Sequence, residues 1–289
     1  AEQGGPVLRG TADMHVGMSE VHRERDDLHA ATQHLLRSQE LGEHLGLPQN
    51  RYRWRVAMAR IRQAEGDPVG ELDLLNEAER WYVGDFFPNV RPVPALKARV
   101  WIAQGRLGEA LGWAHEQGLS VDDDLSYLRE FEHITLARML LARHQDERAE
   151  PFLHQAARLL ERLLRAAEEG QRTGRVIEIL VLQALSRQRL GDNPAALASL
   201  ERAVTLAEPE GYVRVFVDEG PPMASLLRRL TKQGTAGNYV RRLLAAVVEP
   251  GHGRAVKQAL LEPLSERELE VLRLLGTELD GPAIARELM

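Results

Sequence analysis

Arg60, Arg99 and Arg138 stand 39 residues apart, and Glu20 and Leu185 extend the same series at either end. A guanidinium is permanently cationic, and its planar fork of donors matches a carboxylate or a phosphate. Carried on neighbouring helices, three such groups would sit about 10 Å apart and repel one another. An anion would relieve that repulsion, and two sources are open. It can come from outside, as an effector, or from inside, as Glu and Asp residues on the facing helices.

Other chemistry is thinner. The chain has no cysteine, which excludes disulfides and thiol catalysis. Its ten histidines show no H-E-x-x-H metal spacing. His15 and His22, seven apart, read as surface residues. No order of Ser, His and Asp marks a triad, which is recognised by geometry. The acids read as solvated helix faces rather than catalytic pairs. Neither an enzyme nor a cofactor or metal in this chain is therefore expected. A net charge of −6 over 289 residues excludes general attraction to nucleic acid or to an anionic membrane. The longest apolar run, Leu243 to Val248, is far short of the roughly 20 residues a membrane span needs. With no signal peptide visible, a cytoplasmic location is expected.

The elements that must position the arginines read as helices. Aromatics are 5% of the chain, and Ala, Leu, Arg and Glu dominate, which favours helix over strand. A short turn recurs as Arg25-Asp26-Asp27, Glu65-Gly66-Asp67, Gln104-Gly105-Arg106, Arg143-His144-Gln145 and Leu190-Gly191-Asp192, with central residues 40, 39, 39 and 47 apart. Seven residues before each centre stands Ser19, Ala59, Ala98, Ala137 or Ala184. Five after it stands Ala31, Ala110, Ala149 or Ala196, the second copy breaking the rule with Glu71. Nine after it stands Leu35, Leu75, Ala114, Leu153 or Leu200. Small residues let two antiparallel helices approach closely, the leucine fills the gap to the next pair, and glycine at the turn supplies a positive φ. One pair cannot bury its apolar face alone, so copies must stack.

Five pairs are expected, over about 10–46, 50–83, 95–118, 125–169 and 173–207. Val121-Asp122-Asp123-Asp124 reads as a helix start, with acids near the positive end of the dipole. Val213, Val215 and Val217 alternate as in a strand, yet all neighbours are helical, so 211–218 is expected as a helix. Further helices are expected at 223–231 and 236–249. Trp54, Trp81, Trp101 and Trp113 are expected between helices, with Trp101 a candidate for the groove edge.

The repeat resembles the tetratricopeptide repeat, although its Trp and Tyr positions are mostly unfilled. A stride near 39 exceeds the roughly 34 residues usual there, which implies helices about a turn longer. The resemblance implies an all-α superhelix of stacked antiparallel pairs, with the first helix of each pair lining a concave face. Arg60, Arg99 and Arg138 then line a groove, and Arg53 and Phe131 fall on the same face. These five are the candidate effector-binding residues, suited to an anionic or polyhydroxyl effector or an acidic peptide.

Pro250-Gly251-His252-Gly253 is the strongest boundary signal, opening a linker over 250–263. Ser265 and Glu268 then form a capping box, followed by Leu269, Leu272 and Leu275 at helical spacing. Asp280 is placed to cap a second short helix, with Pro282 in its first turn. Leu264-Ser265, Arg267-Glu268, Glu270-Val271-Leu272, Ile284-Ala285 and Leu288 resemble the opening of a LuxR-type helix–turn–helix. Glu278, Asp280, Gly281 and Ala283 depart from that pattern. Ala207 to Tyr212, with Asp218-Glu219-Gly220, resembles the segment that precedes this motif in large MalT-like regulators. The organisation implied is five helix pairs over 1–208, terminal helices over 209–249, the linker, and the first part of a helix–turn–helix over 264–289.

The resemblance also implies partners. MalT-like sensor regions bind a small inducer, of sugar type where known, or an inhibitory protein. An upstream domain uses ATP, and the full-length protein binds double-stranded DNA. Here no G-x-x-x-x-G-K-S/T occurs, the chain opens on Ala1 without Met, and it stops at Met289 before a recognition helix. Residues 262–289 carry seven acids against three arginines, a poor match to a phosphate backbone. The expectation is the sensor portion of a longer regulator, unable to bind DNA by itself. The rival reading is a protein-interaction scaffold of tetratricopeptide type with no small ligand.

Overall fold

Each turn centre that the structure describes is a residue where the backbone bends left-handed. In the computed structural model Asp26, Gly66, Gly105 and Gly191 take φ values of 66°, 74°, 73° and 83°. The structure describes residues 8–42, 45–84, 88–143, 149–232 and 237–248; the fifth centre, His144, lies outside them. The left-handed step ends the first helix of the pair, and the next residue begins the second. Asp27, Asp67 and Asp192 accept hydrogen bonds from the amides of Ala30, Gly70 and Ala195 at 3.0, 2.9 and 3.1 Å. Each satisfies a donor that the helix itself leaves orphaned.

Five antiparallel pairs follow in order. They are α1 (Thr11–Glu24) with α2 (Leu28–Leu41), α3 (Asn50–Glu65) with α4 (Pro68–Arg80), α5 (Val93–Ala103) with α6 (Leu107–Glu116), α7 (Glu130–Ala142) with α8 (Ala149–Glu169), and α9 (Thr173–Arg189) with α10 (Asn193–Ala207). A short helix α11 (Arg214–Val217) and the terminal α12 (Pro221–Lys232) and α13 (Asn238–Val248) complete the described chain. No strand occurs among the described residues. The alternating valines resolve as one helical turn that buries Val213, Phe216 and Val217, a spacing of three and four. The linker and the helix–turn–helix expected over 250–289 lie outside the described residues.

The small residues sit where the pairs touch. Ser19, Ala59, Ala98, Ala137 and Ala184 are each at most 1% exposed. Leu35, Leu75, Ala114, Leu153 and Leu200 are buried as well. Replacing Ala98 with leucine forces methylenes into a closed contact and should cost about 1–3 kcal/mol. Thermal denaturation followed by circular dichroism tests this: a lowered midpoint with native helicity is expected, and an unchanged midpoint would mean no close contact at Ala98.

Three expectations are corrected. The stride of 39 does not come from uniformly longer helices, because α5 and α6 have only 11 and 10 residues. The connections 81–92 and 117–126 carry the extra length. The stride of 47 does come from a helix, since α8 has 21 residues. Next, Asp122 to Asp124 do not start α7, which begins at Glu130 behind a 3₁₀ turn at Tyr127–Arg129. Asp123 instead accepts from the Ser120 amide at 3.0 Å, and Ser120 Oγ accepts from the Asp122 amide at 3.2 Å. Such local side-chain bonds compete with helix. Asp123 also lies 3.0 Å from Nε2 of the buried His133. Third, Trp81 is 40% exposed with the Arg51 guanidinium stacked 4.3 Å from its ring centre. Trp113 is buried, Trp54 donates to Leu35 O at 2.9 Å, and Trp101 packs on the main core.

The stack curves until α1 meets α11. The Val213 amide donates to Glu24 O at 2.9 Å, and the Val215 amide to Glu24 Oε1 at 2.9 Å. Arg23, with a side chain only 4% exposed, pairs with Asp218 at 2.6 Å. Arg214 pairs with Asp26 at 3.1 Å and also bonds Asp218. From α13, Arg242 donates to Arg25 O at 3.2 Å.

Candidate functional site

The inner face of the curved stack lines a cavity of about 1040 Å³. The repeat position that holds the arginines points into it in every copy: Glu20, Arg60, Arg99, Arg138 and Leu185 all line the wall. Arg53 and Phe131 line it too. All five candidate residues therefore share one cavity. Trp101 is not on its wall.

The ladder is compensated from inside. Arg60 reaches Glu20 at 3.0 Å. Arg99 and Arg138 converge on Glu178 at 2.7 and 3.2 Å, and Arg138 takes Glu219 as well, at 2.5 Å. Arg175 binds the other oxygen of Glu178 at 3.0 Å. Arg53 lies 3.6 Å from Asp13. Burial opposes the charge of Glu178, yet Arg99, Arg138 and Arg175 hold its carboxyl well below the usual carboxylate range. Burial pulls Arg99 down to about 9 against the opposing field of Glu178, so it remains cationic at neutral pH.

Aromatic rings lie among the charges. The Arg99 guanidinium sits 3.8 Å from the Phe131 ring centre, and that of Arg175 sits 5.2 Å away, within cation–π range. Tyr52 and Tyr82 meet edge-on at 5.2 Å on the same wall. The arrangement combines fixed charge pairs, forked donors and flat apolar surface. Those are the elements of a small-molecule site.

Glu71, the residue that breaks the small-residue rule, also lines the cavity. Burial pushes its carboxyl up to about 8, with Asp218 adding to the shift and Arg23 opposing it. A folded-state value above the unfolded one means the folded chain holds a proton that the unfolded chain has lost. Stability therefore falls as pH rises from about 4.3 to about 8 and levels off beyond. Glu71→Gln should remove that slope and raise the thermal midpoint at pH 8 more than at pH 5. Parallel midpoint–pH curves for the two proteins would contradict it.

Sequence reasoning missed Glu178, Arg175, Arg91, Asp218 and Glu219, all of them on the cavity wall. Glu178 carried a signal: it stands seven residues before Leu185, as Arg53 does before Arg60 and Phe131 before Arg138. The same step from Glu20 finds Asp13, the partner of Arg53. The others lie off the repeat frame. Among the described residues no His, Asp and Glu group is arranged to hold a metal ion. His15 and His22 do share a face, and His34 from α2 comes between them, its Nδ1 2.9 Å from that of His15.

Stacked antiparallel pairs with left-handed turns, small contact residues and a charged inner wall define a tetratricopeptide-type array. The family model of the MalT-like TPR region matches residues 1–233, and the chain belongs to that family. A search of curated proteins gives no match. Among the described residues no helix is long and apolar enough to cross a membrane.

Proposed function

We propose that this chain is the effector-sensing module of a MalT-like transcriptional regulator, taking its effector in the cavity on the inner face of the stack. The observation that carries this reading is a shared residue. Arg138 binds Glu178 on the cavity wall and Glu219 beside Asp218, and Asp218 holds Arg23 of the first helix. A ligand that redistributes charge at Glu178 therefore acts on the contact joining the two ends. Differential affinity for joined and parted forms is what a ligand needs to shift a population.

In this reading residues 264–289 begin a LuxR-type helix–turn–helix. The full-length protein binds double-stranded DNA in the cytoplasm, and ATP belongs to an upstream domain. The chain itself is no enzyme and carries no cofactor. A P-loop upstream and a basic helix downstream in the parent reading frame would support this assignment; their absence would end it.

The test of the site is a thermal-shift panel of sugars, phosphorylated sugars and carboxylates. Calorimetry follows on the variant with Arg60→Ala, Arg99→Ala and Arg138→Ala. Lost binding with native helical content is expected, and unchanged affinity would remove the site. The scaffold reading draws on Met14, Met18 and Val21, which expose one apolar stripe along α1 at 73%, 44% and 44%. One stable partner in a pull-down, with no shift across the panel, would favour it.

A further inference from the structure

The charge pairing along the cavity is uneven. Glu178 is shared by Arg99, Arg138 and Arg175. Arg138 has a second carboxylate in Glu219 at 2.5 Å, and Arg175 has one in Glu130 at 3.7 Å. Among the described residues Arg99 has Glu178 as its one carboxylate, its Nε donates to Thr135 Oγ1 at 2.9 Å, and its Nη2 is buried with no hydrogen-bond partner. Arg91, on the connection before α5, is exposed to the cavity and makes no ion pair among the described residues. Arg60 and Arg175 repel its guanidinium, and Glu20 and Glu178 attract it. The Phe131 ring carries the Arg99 and Arg175 guanidiniums, and Arg91 lines the same cavity.

We propose that this part of the cavity is a subsite for the oxyanion of a small organic effector, a phosphate or a carboxylate, held by Arg91 together with Arg99 and Arg175. Resting on the sensor reading above, it names the chemical class that the sensor takes. Guanidinium forks bind such groups with two parallel charge-assisted bonds. Glu178 holds the Arg99 and Arg175 forks and is the internal competitor that the ligand partly displaces. The volume of about 1040 Å³ is that of a small-molecule site, and Tyr52 and Tyr82 supply flat surface for an organic body.

The experiment uses the whole chain with inorganic pyrophosphate and citrate as probes, at constant ionic strength, with an uncharged trisaccharide alongside. Calorimetry and the thermal midpoint are the readouts. At least one anion is expected to bind, and its identity separates phosphate from carboxylate. Arg91→Gln should weaken it roughly tenfold while leaving the ligand-free midpoint unchanged. Glu178→Gln should tighten it severalfold, because the competitor is gone. If Glu178→Gln does not fold, Arg91→Lys decides: it keeps the charge and should keep part of the affinity that Arg91→Gln loses. No anion binding, or equal affinity in Arg91→Gln, overturns the subsite. Trisaccharide binding without anion binding also overturns it, yet leaves the sensor reading standing. Binding of neither probe nor any panel compound ends both.

Discussion

Arg23→Ala is expected to lower the unfolding free energy by about 3–5 kcal/mol and to let the first helix pair swing away from α11. Arg23 is buried at 3% exposure, and its charge is balanced by Asp218 at 2.6 Å. Removing it leaves Asp218 inside the joint with Arg214 as its remaining partner. Two main-chain and main-chain-to-side-chain bonds at Glu24 depend on the same contact. In an open stack each repeat touches only its neighbours, so loss of one contact is local. Here the contact joins residues nearly 200 positions apart, and its loss changes dimensions. Small-angle scattering should show a larger radius of gyration, and denaturation a lower midpoint. A particle of native size and stability would refute the joint. Acid should act in the same direction. Although burial opposes its charge, Arg23 and Arg214 hold the Asp218 carboxyl below its ordinary range. Its contribution is therefore complete above the unfolded value of about 3.9 and is lost as pH falls through the lower folded value. Asp218→Asn should abolish that acid-dependent loss.

Glu178→Gln is the second large effect, at about 3 kcal/mol of destabilisation at low ionic strength. One carboxylate with a side chain 10% exposed keeps Arg99, Arg138 and Arg175 together. A neutral amide leaves three cations facing one another in a confined space. Added salt should recover part of the loss, since mobile anions take the carboxylate's place and screen the repulsion. The wild-type contribution should persist to unusually low pH, because the folded carboxyl titrates well below the usual range. Urea denaturation at two salt concentrations measures both statements. A variant within experimental error of wild type in low salt would mean the hub does not hold the wall together.

The frame of the fold was legible in residue types. Among the described turns the left-handed centre recurs four times and the Asp cap three times, the small contact residues are buried throughout, and repetition multiplies a weak local signal. The inward direction of the ladder was legible for the same reason. Apart from Glu178, the missed residues fell outside the repetition. Asp218 and Glu219 belong to a single irregular turn after α11, and their partners Arg23 and Arg138 stand far away in sequence, so no spacing announces them. Arg91 lies on a connection rather than a helix. Glu178 was within reach, seven residues before Leu185, but an apolar residue at the ladder position hid the continuation. The mistaken helix start at Asp122 to Asp124 has another cause: an aspartate serves a local turn as readily as a helix end.

Arg23 meeting Asp218 fixes the number of units. An open solenoid gains or loses whole modules and merely grows or shrinks. A curved stack whose α11 must land on α1 tolerates one circumference. Insertion or deletion of a single pair would misalign the landing and resize the cavity at the same time.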